Sequence, residues 1–88
     1  SQLRKRSSAA APSARIEAAL ELCEQLPDPW FERMNCHNSY GIILENQRYL
    51  AESLAQYRDG LAIARRLGRV SDVAVRLCNV AEICVHQI

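Results

Sequence analysis

The stripe formed by Trp30, Met34, His37, Gly41 and Leu44 constrains this chain more than any other feature. Spacings of four, three, four and three put these residues on one face of an α-helix. A glycine inside such a stripe costs about 1 kcal/mol relative to alanine, so Gly41 needs a reason. Close approach of a second helix, where a Cβ would clash, is the reason expected. That second helix comes next. After the break Asn46-Gln47-Arg48, the stripe Leu50, Ser53 or Leu54, Tyr57, Leu61, Ala64 and Leu67 follows, with small Ser53 and Gly60 beside aromatic Tyr57. The stretch 37–65 therefore reads as an αα-hairpin with small residues where two helices must touch.

Helical pattern extends on both sides. Ile16, Ala19, Leu20, Cys23 and Leu26 predict a helix over about 13–26, capped by Ser13 and stopped by Pro27. Asp28 is expected to cap the next helix, about 29–46, with Pro29 in its first position. The third is expected over about 49–67, closed by Gly68 with Arg65, Arg66 and Arg69 at its negative end. Ser71 is expected to cap a fourth, about 71–87, with an inner stripe of Val73, Leu77, Val80, Ala81 and Cys84. No stretch reads as a strand, so the fold class is all-α with four helices. Residues 1–12 are basic and then Ser/Ala-rich without apolar period, and read as a disordered tail.

Charge and cysteine usage narrow the function. Residues 13–88 carry 8 basic and 10 acidic side chains, net −2, which argues against a direct nucleic-acid surface. No apolar run approaches the roughly 20 residues of a membrane span. Cys23, Cys36, Cys78 and Cys84 lie on apolar helical stripes, and read as free thiols used as small hydrophobes in a reducing, cytoplasmic setting. The chain begins without Met, so an origin inside a longer polypeptide, or processing, is expected.

The helices also repeat. Ala14, Ala19-Leu20, Leu22 and Leu26 match Ala55, Gly60-Leu61, Ile63 and Leu67 at an offset of 41. Asn38, Tyr40-Gly41 and Leu44 match Cys78 or Asn79, Val80-Ala81 and Cys84 at an offset of about 40. Self-similarity at such a period marks stacked helix pairs. The unit resembles the tetratricopeptide repeat, its places filled by His37, Tyr40-Gly41, Leu44, Ser53, Tyr57 and Arg65. It departs from that pattern in His37 for Trp, Leu44 for Tyr, Arg48 near the usual turn glycine and Arg65 for Pro. The resemblance covers about 13–88 and implies antiparallel hairpins stacked as an α-solenoid. The roughly 40-residue spacing resembles repeats in large bacterial regulators.

Chemistry-bearing clusters are sparse. Cys36-His37, Cys78, Cys84 and His86 lack the paired spacing of a structural zinc site. Cys36 and His37 point about 100° apart on a helix, which does not suit a nucleophile and its base. No phosphate loop and no paired-carboxylate cleft is present. No enzyme activity, metal or cofactor is expected. Arg58, Arg65, Arg66 and Arg69 read as a solvated face with helix-end compensation, and Trp30 and Phe31 as core or a joint between repeats. In the resembled family the first helix of each pair lines a concave groove. That places Asn35, Asn38, Ile42 and Glu45, with Asn79, Glu82 and His86, in a peptide-binding groove. Asn side chains can pair with a ligand backbone. The expected function is a non-catalytic protein- or peptide-binding scaffold, a fragment of a longer array. The alternative is a ligand-sensing segment of a bacterial transcription regulator. Neighbouring repeats, or self-association through the last helix, are the further partners expected.

Overall fold

The structure, a computed structural model, describes the backbone of residues 14–87 and the side chains of residues 14–85. Ser13 and the basic tail lie outside these residues. The chain forms α1 (14–23), α2 (Trp30–Asn46), α3 (Leu50–Leu67) and α4 (Val70–Gln87). Among the described residues there is no strand.

α1 ends three residues before the expected Leu26. The amides of Glu24, Gln25 and Leu26 bond the carbonyls of Glu21, Leu22 and Cys23 at 3.0–3.1 Å, a tightened final turn of i→i+3 bonds. Pro27 is the cause, because a proline disfavours helical backbone at the residue before it. Asp28 does not cap α2. Pro29 holds the cap position, no side chain caps the helix, and the Pro29 carbonyl accepts from the Arg33 amide at 2.9 Å. Ser71 is not a cap either. α4 begins at Val70, with the Arg69 carbonyl accepting from Val73 at 2.9 Å.

The α2–α3 and α3–α4 connections share one geometry. Gly68 has φ 68°, and the amides of Gly68 and Arg69 reach back to the carbonyls of Arg65 and Ala64. Arg48 also has φ 68°, and the amides of Arg48 and Tyr49 reach the carbonyls of Glu45 and Leu44. Both are Schellman closures, which need a left-handed residue and usually recruit glycine. Arg48 occupies that position without being glycine, and so carries backbone strain. Connections this short make α3 run back along α2, and α4 run back along α3.

Packing follows the expected α2 stripe. Met34, His37, Gly41 and Leu44 are its buried residues. α3 buries Ser53, Tyr57, Gly60, Leu61, Ile63 and Ala64. Met34, Ile63 and Ala64 form one cluster, with Trp30 and Val73 packed against it, so α2, α3 and α4 share a core. Each aliphatic side chain buried there contributes about 1.5–3 kcal/mol.

Gly41 faces the Tyr57 ring. A Cβ at this position would stand 2.6 Å from two ring carbons. Ser53 Oγ donates to the Gly41 carbonyl at 2.7 Å. The small residues thus admit an aromatic ring and a buried hydroxyl between the helices.

α4 departs from expectation. Leu77 is 44% exposed, and Ala81 and Cys84 are exposed as well. The inward face is Val73, Arg76, Val80 and Ile83, with Arg76 3% and Ile83 1% exposed. Apolar residues surround much of this helix, so hydropathy alone does not say which side faces α3. Arg76 can turn inward because Asp72, one turn earlier, meets its Nη1 at 3.0 Å. Cys78 and Cys84 are exposed rather than core residues, whereas Cys23 is buried and Cys36 half-buried. All four are free thiols.

Candidate functional site

The surface formed by α2 and α4 over Tyr57 of α3 brings together several residues proposed for a groove. Asn79 Nδ2 donates to Asn38 Oδ1 at 3.2 Å, a direct link between α2 and α4. These residues are 41 apart, close to the offset of about 40 at which Asn38 matches Cys78 or Asn79 in the sequence.

One turn beyond Asn38, Ile42 is 44% exposed. Glu45 follows, accepting a hydrogen bond from the Tyr57 hydroxyl at 2.9 Å. Burial pushes the Tyr57 phenol well above its ordinary pKa, and the bond to Glu45 and the charge of Glu82 push it further. Glu45 of α2 and Glu82 of α4 thus both act on one buried hydroxyl. Asn35 is exposed one turn before Asn38. The His86 side chain lies outside the described residues.

What this surface offers is three amides, two carboxylates and an exposed isoleucine above a neutral phenol. Amide groups can pair with an extended backbone, and carboxylates favour cationic or amide-bearing side chains. Asn38 and Asn79 each retain donors or acceptors beyond their mutual bond.

His37 has a structural role. Its Nδ1 donates to Gln56 Oε1 at 2.7 Å, and the ring is 9% exposed. Between α1 and α2 lies an apolar cleft of about 530 Å³, lined by Ala19, Leu22, Cys23, Leu26 and Cys36 among others. Burial, and then the neighbouring Cys23 thiol, raise the Cys36 pKa, so Cys36 is a weak nucleophile at neutral pH. Among the described residues, no three of His, Cys, Asp and Glu converge to hold a metal ion, and no helix is long and apolar enough to cross a membrane.

A second assembly was not visible in the sequence. Trp30, in the first turn of α2, has Arg33 at 5.5 Å and Arg66 at 4.7 Å from its ring centre. Phe31 has Arg69 at 4.5 Å. The aromatic pair is partly exposed and the arginines come from two helices and a turn. The signal that could have found it is the antiparallel hairpin itself, which sets the start of α2 beside the end of α3.

Comparison with protein-family models, with curated proteins and with solved structures returns no match.

Proposed function

We propose that this chain is a non-catalytic protein-interaction module of stacked, tetratricopeptide-like helix pairs, which binds an extended peptide along α2 and α4. The Asn38–Asn79 hydrogen bond carries this reading, because it joins two positions related by the sequence repeat. Stacking with preserved register is what repeat arrays do. The peptide would meet Asn35, Asn38, Ile42, Glu45, Asn79 and Glu82, with His86 following on α4. Its backbone would pair with the two linked asparagines, and a basic side chain would meet Glu45 and Glu82.

The outer face of α4 supports the array. Val70, Leu77 and Val85 are 80%, 44% and 69% exposed. A continuous apolar face on the last described helix suits packing of a further helix, from the same array or from a second copy. A cytoplasmic setting fits the free thiols.

A peptide-display selection on the 88-residue chain, followed by NMR titration of the best binder, tests the groove. Amide shifts concentrated on Asn38, Ile42, Asn79 and Glu82, abolished by Asn79→Ala, support it. Shifts confined to other surfaces, or binding indifferent to Asn38→Ala and Asn79→Ala, refute it.

A further inference from the structure

The start of α2, the end of α3 and the turn into α4 meet at one end of the module, away from the Asn38–Asn79 groove. There the positive charge is concentrated. Arg33 and Arg66 both lie over the Trp30 ring, and Arg69 lies over Phe31. The residues from 13 to 88 are net acidic, so this concentration is local rather than a general property.

Compensation is incomplete. Asp72 pairs with Arg69 and also with Arg76. Among the described residues, neither Arg33 nor Arg66 has a carboxylate partner. The Nε of Arg33 is buried with no hydrogen-bond partner, and a buried unsatisfied donor is uncommon and costly. Two like charges lie over one ring, and an anion between them would relieve their repulsion.

Cation–π attraction holds both guanidinium groups near the Trp30 ring, and Arg66 is exposed to solvent. A fixed, planar fork of donors matches the two oxygens of a carboxylate or phosphate. The net acidic character of residues 13–88 argues against a nucleic-acid partner. The first turn of α2 is uncapped and favours negative charge, although Glu32 already stands in it.

We propose that Arg33 and Arg66, held on Trp30 and assisted by Arg69 on Phe31, form an oxyanion site that docks an acidic segment of a partner protein. The recognised groups are oxyanions presented on a peptide, from aspartate and glutamate or from phosphoserine. This site is independent of the α2–α4 groove and stands whether or not that groove binds peptide.

Trp30 is the single tryptophan, so its fluorescence reports on this site directly. The full chain is titrated at low salt with a glutamate-rich decapeptide, with a phosphoserine peptide of the same length, and with a single-stranded oligonucleotide. Expected is a saturable change in Trp30 emission with at least one peptide, weakening as salt is added. The tighter of the two identifies carboxylate or phosphate as the preferred group. Arg66→Gln and Arg33→Gln are each expected to weaken binding about tenfold or more, as for loss of a charge-assisted hydrogen bond. Arg48→Asn, which removes a charge at the opposite end of the hairpin, should change it less than about twofold by the same reasoning. Arg66 is exposed, so Arg66→Gln carries the test should Arg33→Gln fail to fold. Circular dichroism of each variant establishes its fold. The proposal is overturned if neither peptide gives a saturable change. It is equally overturned if only the oligonucleotide binds, or if folded Arg66→Gln binds as wild type does.

Discussion

Replacing Gly41 and Gly60 by alanine, one at a time, separates two glycines that look alike in the sequence. Each sits within a helix, so each Ala gains about 1 kcal/mol of helix propensity. At Gly60 the new Cβ would lie 3.5 Å from His37 Cβ, 3.5 Å from the Met34 carbonyl oxygen and 3.8 Å from Arg76 Nε, all ordinary contacts. Gly60→Ala should therefore stabilise the fold by about 0.5–1 kcal/mol. At Gly41 the Cβ would lie 2.6 Å from two Tyr57 ring carbons. The ring is 1% exposed, its hydroxyl is held by Glu45, and the Gly41 carbonyl is held by Ser53. Neither side can yield without breaking a hydrogen bond or opening a void. Overpacking of this kind costs about 1–3 kcal/mol, which exceeds the propensity gain. At 2.6 Å the cost falls in the upper part of that range, about 2–3 kcal/mol, so the net expectation for Gly41→Ala is a loss of about 1–2 kcal/mol, a fall in melting temperature of roughly 5–15 °C. Urea and thermal melts followed by circular dichroism at one protein concentration measure both. If Gly41→Ala matches or exceeds wild type, the ring does not fill that contact. A destabilised Gly60→Ala would mean that α2 lies closer to α3 than these distances allow.

Three further tests address the turns, charges and thiols. Arg48→Gly relieves a left-handed non-glycine residue, and should raise stability by up to about 1 kcal/mol; an unchanged urea midpoint counts against strain at the α2–α3 turn. Arg69 holds the Asp72 carboxyl below its ordinary pKa of 3.8, with Arg76 adding to the effect. Depression means that Asp72 binds its proton less readily folded than unfolded, so its contribution is present above pH 3.8 and lost as pH falls below it. Asp72→Asn should melt below wild type at neutral pH, with the gap closing in acid; a gap independent of pH contradicts the linkage. Alkylation at neutral pH, followed by mass spectrometry, should label exposed Cys78 and Cys84 well before buried Cys23 and proton-retaining Cys36. Equal labelling of Cys36 and Cys78 would show α1 detached from α2.

That Asn38 and Asn79 lie on neighbouring groove-forming helices was expected in advance, though their mutual hydrogen bond was not. The Trp30–Arg33–Arg66 assembly was not expected either. Its members are 36 residues apart at most, and nothing in their spacing links them. Only the antiparallel return of α3 sets Arg66 against the first turn of α2. Likewise, Leu77 and Cys84 looked like inner residues of α4, yet Arg76 is buried there and both of them are exposed. Asp72, which pairs with Arg76, reversed that choice.

Sequence by itself determined the helices, the inner face of α2 and the middle of that of α3, where Leu67 proved exposed and Ile63 buried, because spacing of apolar and small residues reports directly on a periodic backbone. It also marked Gly41 as a point of contact, since glycine inside a helix is unfavourable without one. Only the tertiary structure decided which face of α4 turns inward, that Tyr57 fills the Gly41 contact, and where the arginines gather. Those outcomes depend on pairing between side chains of different helices, and a local pattern carries no information about what stands opposite.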